Sequence, residues 1–407
     1  MRNDDDGGSV LPDPTDVLGG SLDPLGEPAD LADFRLAVRA VVAEAAPAGR
    51  IAELDERAEF DAELHARLAG AGVLAAGAGD RHGGIGDVRH QMAAVEEVAA
   101  GPTSMAVALV VHYLVLDLLT SHGTPAQQER WLGPLMSGRA TAAFALTEPG
   151  AGTDVAGGMV TTAKRTDGGW TLDGHKTWIA GAARADVHVV LARSAPVGGA
   201  GVDGITTFLV PADTPGVRTS PFGAVGLRAA HPCDLELDAV AVPDDAVVGT
   251  VDAGFRELMR SLNRERLNAA SGAAGAARGA LAHTLAYARD REAFSRSLGS
   301  FQAVQHRLVD GVVALEAARG LLRRAGEVAA GGGRADLLSS MAKLACSEAA
   351  VRITSDGLET LGAAGLSTGR PLQRWFRDVR LWVIAPLAND MVRNYLGERH
   401  LGLPRSF

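Results

Sequence analysis

Two short stretches of the sequence carry residues suited to holding a flat, anionic cofactor. The first ends in the glycine-rich turn Gly150-Ala-Gly-Thr153. Glycine lets backbone N–H groups converge on an anion such as a pyrophosphate, and the threonine hydroxyl adds a donor. The second stretch places a lone tryptophan, Trp178, in a strand-like segment about one hairpin later. A planar ring system needs an aromatic wall of that kind, although an ordinary turn followed by a core aromatic would have the same spacing.

Length and composition indicate a multidomain protein with a large core. The chain has 407 residues, which is too long for one simple core and indicates two or three domains in close contact. Hydrophobic residues make up 47% of it. The formal net charge of −10 argues against nucleic acid as a partner, but an acidic ligand needs only a local basic pocket. Cys233 and Cys346 do not make a disulfide framework, and we expect buried thiols in a reducing compartment.

The sequence predicts neither a targeting segment nor a membrane span. Residues 1–30 contain an acidic run and several prolines but no apolar signal segment, which predicts a disordered leader. The longest apolar run, Met105 to Leu119, is interrupted by His112 and Asp117. We interpret it as a buried helix that is too short to span a bilayer. These features predict a cytoplasmic protein without membrane contact.

The spacing of apolar residues changes twice along the chain. Over residues 31–140 they recur every three or four positions, which predicts a helical N-terminal domain. Residues 141–251 contain short strand-like segments separated by Gly, Pro and Asp, which predict a β-barrel or β-sandwich. Helical periodicity returns over residues 252–407 with short connections, which is typical of an antiparallel bundle. The expected fold class is therefore α+β, with three domains after the leader.

The same patterns predict individual elements. The predicted helices are Leu31–Ala46, Asp61–Ala71, Val88–Gly101, Pro102–His122, Pro125–Met136, Gly254–Arg289, Ser300–Ala330, Ala335–Gly362 and Asp378–Glu398. The predicted strands are Thr171–Gly174, Asp186–Ala192, Ile205–Pro211 and Asp234–Val242.

Taken as one run, the two cofactor-like stretches resemble the middle-domain signature of the acyl-CoA dehydrogenase flavoprotein family. That signature reads T-E-P-x-A-G-S/T-D followed by G-x-K-x-W-I-T. The matching parts here are Thr147 to Asp154 and Gly174 to Ala180, and the likeness extends from about residue 30 to the C-terminus. The family has the same order of helical domain, β-barrel and helical bundle. The resemblance implies FAD between barrel and bundle, and a homodimer or homotetramer whose interface FAD crosses.

The resemblance also implies a set of FAD contacts. In the family, the T-E-P segment lies along the flavin ring, the following turn binds the pyrophosphate, and the tryptophan stacks by the ring. The matching barrel residues are Phe144, Leu146, Thr147, Gly152, Thr153, Trp178, Ile179 and Ala180. The bundle of a neighbouring subunit is expected to supply Arg291, Phe294, Gln302, Glu359, Gly362, Ala363, Asn389 and Asp390. No metal site is expected.

Three of these positions need comment. Ala180 replaces a threonine that usually bonds near the flavin N5 edge, so one donor is lost there. Glu359 replaces a glutamine, which puts a carboxylate near an anionic cofactor and predicts weaker or rearranged binding of its adenosine end. The guanidinium fork of Arg291 suits a pyrophosphate, although a solvated helix charge would look the same.

The family's usual catalytic base is missing from its usual place. In the family, a carboxylate removes the α-proton of an acyl thioester while the β-hydrogen moves as hydride to the flavin. The usual segment resembles R-D-A-R-x-x-x-I-Y-E-G-T, and its match from Arg377 to Ala388 has Pro386 at the carboxylate position. Proline also lacks the N–H that helps bind the thioester oxygen. Losing one such donor costs on the order of 3 kcal/mol of transition-state stabilisation. Ala385 and Pro386 are the expected substrate contacts in this segment.

Glu265 matches a second location of the base within the family. It stands near the start of the long bundle helix, directly before Arg266, which is expected to contact the substrate. The small residues on the same helix face are Ala269, Gly272, Ala273, Ala276 and Ala280. Such a smooth face predicts a surface for a thin ligand. The alternative is close helix packing beside a solvent-exposed glutamate.

Three functions are compatible with the sequence. The first is an FAD-dependent dehydrogenase of an acyl thioester on coenzyme A or a carrier protein, which passes electrons to an electron-transfer flavoprotein or to oxygen. The second is a flavin-dependent oxidase or monooxygenase in specialised biosynthesis, which would agree with Ala180 and the missing base. The third is a non-catalytic binding protein that kept the fold.

Overall fold

The computed structural model describes residues 27–196 and 201–405 of the chain. The described chain has three segments. The first is helical and ends at Met136, the second consists of strands from Ala142 to Val248, and the third is helical from Gly254 onward. The predicted leader, residues 1–30, lies almost entirely outside the described residues. The first helix of the described residues begins at Ala29, two residues before its predicted start.

Between residues 27 and 139, the described part of the first segment packs six α-helices. They are α1 (Ala29–Ala45), α2 (Ala48–Arg57), α3 (Ala62–Gly70), α4 (Val88–Ala99), α5 (Thr103–His122) and α6 (Pro125–Met136). Side-chain caps start two of them. Asp61 accepts the Leu64 N–H before α3, and Thr124 forms a capping box with Gln127 before α6. Helix α2 was not predicted, because Ile51 is its one large buried apolar residue and leaves no periodic signal.

Helix α5 lies in the core of the first segment. Its 20 residues are long and apolar enough to cross a membrane, so the prediction that the run is too short was wrong. The helix is nevertheless a core helix, as predicted, because 83% of its most apolar stretch is covered by the rest of the protein. Its interior polar groups are paired. The His112 ring Nε2 lies 2.7 Å from the Leu74 carbonyl oxygen, and Asp117 accepts a 2.6 Å hydrogen bond from Arg264.

The described residues of the second segment form one continuous sheet of eight strands. They are β1 (Ala142–Ala145), β2 (Thr162–Thr166), β3 (Gly169–Ala180), β4 (Val187–Arg193), β5 (Ile205–Pro211), β6 (Val217–Pro221), β7 (Pro232–Pro243) and β8 (Val247–Val248). Their order is β6-β7-β3-β2-β4-β5-β8, and β1 pairs in parallel with β4. Trp170 of β3 meets Phe208 of β5 edge to face, with ring centroids 5.5 Å apart, although two strands separate them in the sheet. The sheet is therefore curled around its core, as expected of a barrel-like domain.

The third segment is a helical bundle with one short hairpin. Its elements are α7 (Gly254–Asp290), β9 (Glu292–Ala293), β10 (Arg296–Ser297), α8 (Gln302–Ala330), α9 (Asp336–Leu361), α10 (Leu372–Asp378), α11 (Arg380–Ile384) and α12 (Asn389–Arg399). The predicted helix Asp378–Glu398 is broken, because Pro386 has no N–H to continue it. The long helices α7, α8 and α9 end within two residues of their predicted bounds.

A buried ionic network joins the first and third segments. The Glu97 carboxylate on α4 accepts hydrogen bonds from Arg35 of α1 at 2.9 Å, Arg39 of α1 at 3.0 Å and Arg278 of α7 at 2.6 Å. Burial by itself raises the pKa of Glu97, but Arg278 and Arg35 outweigh it and hold that pKa well below its usual range. The network fixes α7 against α4 and α1.

Candidate active site

Four hydrogen bonds fasten the segment after β1 to strand β3. Thr147 accepts the Thr177 N–H at 2.9 Å and donates its hydroxyl to the Thr177 carbonyl at 2.6 Å. The Lys176 ammonium donates to the Leu146 carbonyl at 3.1 Å and to the Glu148 carboxylate at 2.8 Å. The segment expected to lie along the flavin ring is therefore held against the strand that carries the tryptophan.

Lys176 and Glu148 form this anchor as a buried ion pair. Lys176 is fully buried, and burial lowers its pKa to about 8 while Glu148 opposes the shift. Glu148 also accepts the backbone N–H groups of Val160 and Thr161 at 2.7 and 3.0 Å. Removing either partner of such a pair leaves an uncompensated buried charge, so substitution of Lys176 or Glu148 is expected to destabilise this anchor.

Trp178 turns outward where strand pairing is interrupted. The pairing of β3 with β7 is irregular between Lys176 and Ile179, and Trp178 has a positive φ of 61°. Its side chain is 64% exposed, and Phe222 packs edge to face against the indole with ring centroids 4.8 Å apart. A large residue held at positive φ is uncommon and points to a functional constraint. The exposed indole fits the aromatic wall that the sequence predicted.

The glycine-rich turn leaves space and donors for an anion. Two backbone bonds between Glu148 and Ala151, of 3.0 and 3.3 Å, close the turn. Gly152 and Thr153 are exposed, and their N–H groups have no hydrogen-bond partner within residues 27–196 and 201–405. A methyl group on Gly150 or Gly152 would meet no atom within 4 Å. These features fit a bound pyrophosphate.

Six of the predicted bundle contacts lie on the surface, at two places. Arg291, Phe294 and Gln302 surround the β9–β10 hairpin, and Phe294 is 91% exposed. Glu359 lies in the last turn of α9, followed by Gly362 and Ala363, all exposed. A 2.9 Å ion pair from Arg307 of α8 reaches Glu359 and partly offsets its negative charge. Their exposure is what contacts to the cofactor of a neighbouring subunit require.

Three predicted contact side chains are engaged inside the protein instead. Ile179 belongs to the sheet core and is 2% exposed, so only its backbone can face a ligand. The buried Asn389 amide accepts a 2.7 Å hydrogen bond from Lys343. The buried Arg266 guanidinium donates to Asn263 at 2.9 Å and lies over the Tyr395 ring. Matching to the family motif could not tell these buried side chains from exposed ones, because burial depends on the tertiary structure.

The remaining predicted residues are accessible in part. Phe144, Leu146, Ala180, Ala385 and Pro386 are half-buried, and Asp390 is exposed in the first turn of α12. The Ala385 N–H is bonded to the Leu381 carbonyl at 2.8 Å. Since proline has no N–H, neither residue offers a free backbone donor to a thioester oxygen.

Glu265 is a half-buried carboxyl without a local partner. No hydrogen bond or ion pair joins its side chain to another residue in the part of the chain that the structure describes. Burial raises its pKa to about 7, and the charge of Arg266 opposes that shift. A carboxyl whose pKa lies near neutrality is suited to act as a general base. The solvent-exposed glutamate of the alternative interpretation is therefore not observed.

The small-residue face beyond Glu265 is filled by protein. Ala269, Gly272, Ala273, Ala276 and Ala280 are all buried. A methyl group on Gly272 would lie 2.6 Å from ring carbon Cζ2 of Trp382, which packs there from α11. The predicted smooth surface along this whole face was wrong, and close packing, the alternative, is what the structure has.

A polar cavity of about 820 Å³ lies beside the first turns of α7. Asn263 and Arg264, the two residues before Glu265, line it together with Arg260. Arg81 and Arg334 add positive charge from two loops. The sequence analysis missed these residues, since they come from separate elements and share no motif.

The fold and these contacts define a class of three-domain flavoproteins. Family models described as the acyl-CoA dehydrogenase N-terminal, middle and C-terminal domains match residues 28–139, 143–240 and 252–401. The chain belongs to the acyl-CoA dehydrogenase family, it is an oxidoreductase, and its cofactor is FAD.

Individual relatives agree over most of the chain. The mitochondrial short-chain specific acyl-CoA dehydrogenase of Bos taurus is 34% identical over 345 residues, 84% of this chain and 83% of the relative. The structure of butyryl-CoA dehydrogenase from Megasphaera elsdenii is 30% identical with a TM-score of 0.88 and covers 93% of this chain and 100% of that one. A glutaryl-CoA dehydrogenase from Mycobacterium smegmatis in complex with FADH2 is 28% identical with a TM-score of 0.87, over 94% and 96%. These relatives support the dehydrogenase interpretation and not the oxidase, monooxygenase or binding-protein alternatives.

Proposed function

We propose that this chain oxidises the α,β carbon–carbon bond of an acyl thioester, with Glu265 as the base. The observation that carries the proposal is the state of that carboxyl, which is half-buried, has no partner among the described residues and has a pKa of about 7. Such a group is partly ionised at neutral pH and is ready to accept a proton from carbon. Pro386, at the usual position of the base, offers neither a carboxylate nor an N–H.

The chain's own residues provide binding and orientation for the reaction. The exposed N–H groups of Gly152 and Thr153 and the Trp178 indole would hold FAD on the sheet side, and Arg291 and Phe294 of a second copy would hold it from the bundle. FAD, when bound, supplies the acceptor for the β-hydride. Glu265 takes the α-proton onto a carboxylate oxygen.

The polar cavity beside α7 is the proposed place for the phosphate-bearing part of the thioester. Arg81, Arg260 and Arg334 supply cations at its walls, although Arg334 is also ion-paired with Asp336 at 3.5 Å. The guanidinium group of arginine binds phosphate through parallel hydrogen bonds. Coenzyme A and the phosphopantetheine arm of a carrier protein share this chemistry, so both are proposed carriers. An electron-transfer flavoprotein or oxygen is the proposed electron acceptor. A homodimer or homotetramer acting in the cytoplasm stays a prediction.

The test is the substitution Glu265→Gln in the FAD-loaded protein. We expect the variant to remain yellow, because no FAD contact is removed, and to lose reduction of its flavin by butyryl-CoA under anaerobic conditions. The matched control is Glu257→Gln on the same helix, whose carboxylate bonds the Thr250 N–H at 3.1 Å. We expect that control to be reduced like the wild type. Unchanged flavin reduction in Glu265→Gln would remove Glu265 from the mechanism.

A further inference from the structure

The β6–β7 loop, residues 222–231, begins and ends beside the strand that carries Trp178. At its start, Phe222 packs edge to face on the Trp178 indole, with ring centroids 4.8 Å apart. At its end, the His231 carbonyl accepts the Gly181 N–H at 3.1 Å. A movement of this loop would therefore reach the aromatic wall against which FAD is proposed to bind.

The tip of the same loop is fastened to the third segment at the end of α10. The Leu227 N–H donates a 2.6 Å hydrogen bond to Asp378 Oδ1, and Arg377 Nη1 donates to the Val225 carbonyl at 2.6 Å. A methyl group on Gly226 would lie 2.8 Å from the carbonyl carbon and oxygen of Arg377, so the two backbones are in direct contact. A side chain on Gly226 would push the loop away from α10.

The end of α10 is itself fixed against the first segment. Asp378 is 1% exposed, and Arg377 Nη2 forms a 2.6 Å ion pair with Asp55 of α2. Arg228 of the loop donates to the Glu56 carbonyl at 3.0 Å. All three segments meet at this point, so the loop tip rests on a support that the barrel alone does not provide.

The backbone of the loop needs such support. Leu227 and His231 have positive φ values of 58° and 56°, and Trp178 has one of 61°. Bulky L-residues rarely adopt this left-handed region, and they persist there only when surrounding contacts hold them. The Asp378 carboxylate binds the N–H of Leu227 itself, so it holds a residue whose backbone would otherwise relax.

We propose that Asp378 is a positioning residue for the cofactor site. Its bond to Leu227 holds the β6–β7 loop, and through Phe222 the loop holds the Trp178 indole in the orientation that FAD requires. Since Asp378 is buried, it acts through the loop and does not itself contact the cofactor. The inference rests on the proposed placement of FAD against Trp178 and is independent of Glu265.

The experiment follows Trp178 in the holoenzyme by fluorine NMR of protein labelled with fluorotryptophan. The chain has five tryptophans, and Trp178→Phe identifies the Trp178 resonance by its loss. Asp378→Ala removes the acceptor, so we expect that resonance to move by more than its linewidth and the FAD dissociation constant to rise about tenfold. Gly226→Ala tests the same connection without removing a charge. It should also move the resonance and weaken FAD binding.

Two variants serve as matched controls. Asp378→Asn keeps an oxygen that can accept the Leu227 N–H, so the resonance and the FAD dissociation constant should stay close to their wild-type values. Glu97→Gln disturbs the buried network of α4, whose partners are arginines of α1 and α7 rather than loop residues. It should lower the free energy of unfolding without moving the Trp178 resonance.

The outcomes separate the inference from the proposed function. If Trp178→Ala binds FAD as tightly as the wild type, the proposed placement of FAD fails and the inference falls with it. If Trp178→Ala weakens FAD binding but Asp378→Ala and Gly226→Ala leave both quantities unchanged, only the role of Asp378 is overturned. An equal shift in Asp378→Asn or Glu97→Gln would overturn it as well, since a general loss of stability would then account for the effect.

Discussion

At the scale of single residues, the site depends on groups whose surroundings change their ordinary behaviour. Trp178 is exposed because its backbone leaves the strand geometry at positive φ. Lys176 is tolerated in a fully buried position because the Glu148 carboxylate pairs with its ammonium group at 2.8 Å. Glu265 titrates near neutrality because it lies in a poorly solvated position. Each of these properties belongs to a side chain together with its neighbours.

The titration of Glu265 predicts a pH dependence of the reaction. A protonated carboxyl cannot accept the α-proton, so the rate of flavin reduction should be low below the pKa of about 7, rise through it and level off above it. The measurement is anaerobic stopped-flow reduction by butyryl-CoA at saturating concentration across this range. A rate that does not change with pH on either side of 7 would contradict the role of Glu265.

His188 predicts a pH dependence of stability. It is fully buried in β4, neither ring nitrogen has a hydrogen-bond partner among the described residues, and burial lowers its pKa from 6.5 to about 4. The unfolded chain therefore binds more protons between these values. The associated stability is fully present above pH 6.5 and is lost, to the extent of about 3 kcal/mol, as pH falls toward 4.

The variant His188→Leu tests this by urea unfolding at several pH values. It leaves no polar group unpaired, so its free energy of unfolding should decline less steeply than that of the wild type over the same window. Parallel declines in the two proteins would show that His188 titrates normally in the folded state.

At the scale of elements, α7 organises the molecule. It carries Glu265, and the rings of Trp382 and Trp375 pack against its glycines. Its Arg278 donates a hydrogen bond to Glu97 of α4 in the buried ionic network. Gly275 lets the backbone of α4 approach closely, since a methyl group there would lie 2.1 Å from the Glu96 carbonyl oxygen. The position of the proposed base is thus tied to the first segment by packing and by charge.

Removal of the central carboxylate should loosen this connection. Glu97→Gln leaves Arg35, Arg39 and Arg278 without their shared anion, and we expect a loss of about 3–5 kcal/mol in the free energy of unfolding. The measurement is chemical denaturation followed by circular dichroism. The control Glu348→Gln breaks the surface ion pair with Arg393 and should cost less than about 1 kcal/mol. Equal effects of the two substitutions would contradict a structural role for the buried network.

At the scale of the whole molecule, the proposed cofactor site is divided between copies of the chain. The sheet offers the turn at Gly152 and the Trp178 wall, whereas Arg291 and Phe294 stand exposed at the hairpin that follows α7. The 91% exposed ring of Phe294 is free to contact a second copy of the chain, and aromatic residues are enriched at such interfaces.

This arrangement predicts that FAD retention depends on Arg291 and on assembly. Arg291→Ala should lower the FAD content of the purified protein at least several-fold, because a charge-assisted contact to the pyrophosphate is removed. Absorbance after gel filtration measures the content, and analytical ultracentrifugation the assembly state. Arg296→Ala, in the same hairpin but stacked on Phe301, is the matched control and should retain FAD. Full retention in Arg291→Ala, or a monomer that holds FAD tightly, would disprove the divided site.

The sequence by itself determined the order of helical and strand segments and showed the motif of the family. Apolar periodicity is a local property, so it placed α5, α6, α7 and α8 within a few residues of their observed bounds. It missed β1, β2, β6 and β8, which are at most five residues long and too short for a clear alternation. The motif between Thr147 and Trp178 identified the family, because it depends on residue types and on their spacing along the chain, which the sequence shows directly.

Only the tertiary structure decided what the individual site residues do. Ile179, Asn389 and Arg266 match positions in the motif but face inward, and the smooth face of α7 is covered by Trp382 from a distant part of the chain. The raised pKa of Glu265, about 7, and the arginine-lined cavity likewise arise from elements far apart in sequence. Burial, desolvation and close approach are properties of neighbours in space, and no pattern of adjacent residues encodes them.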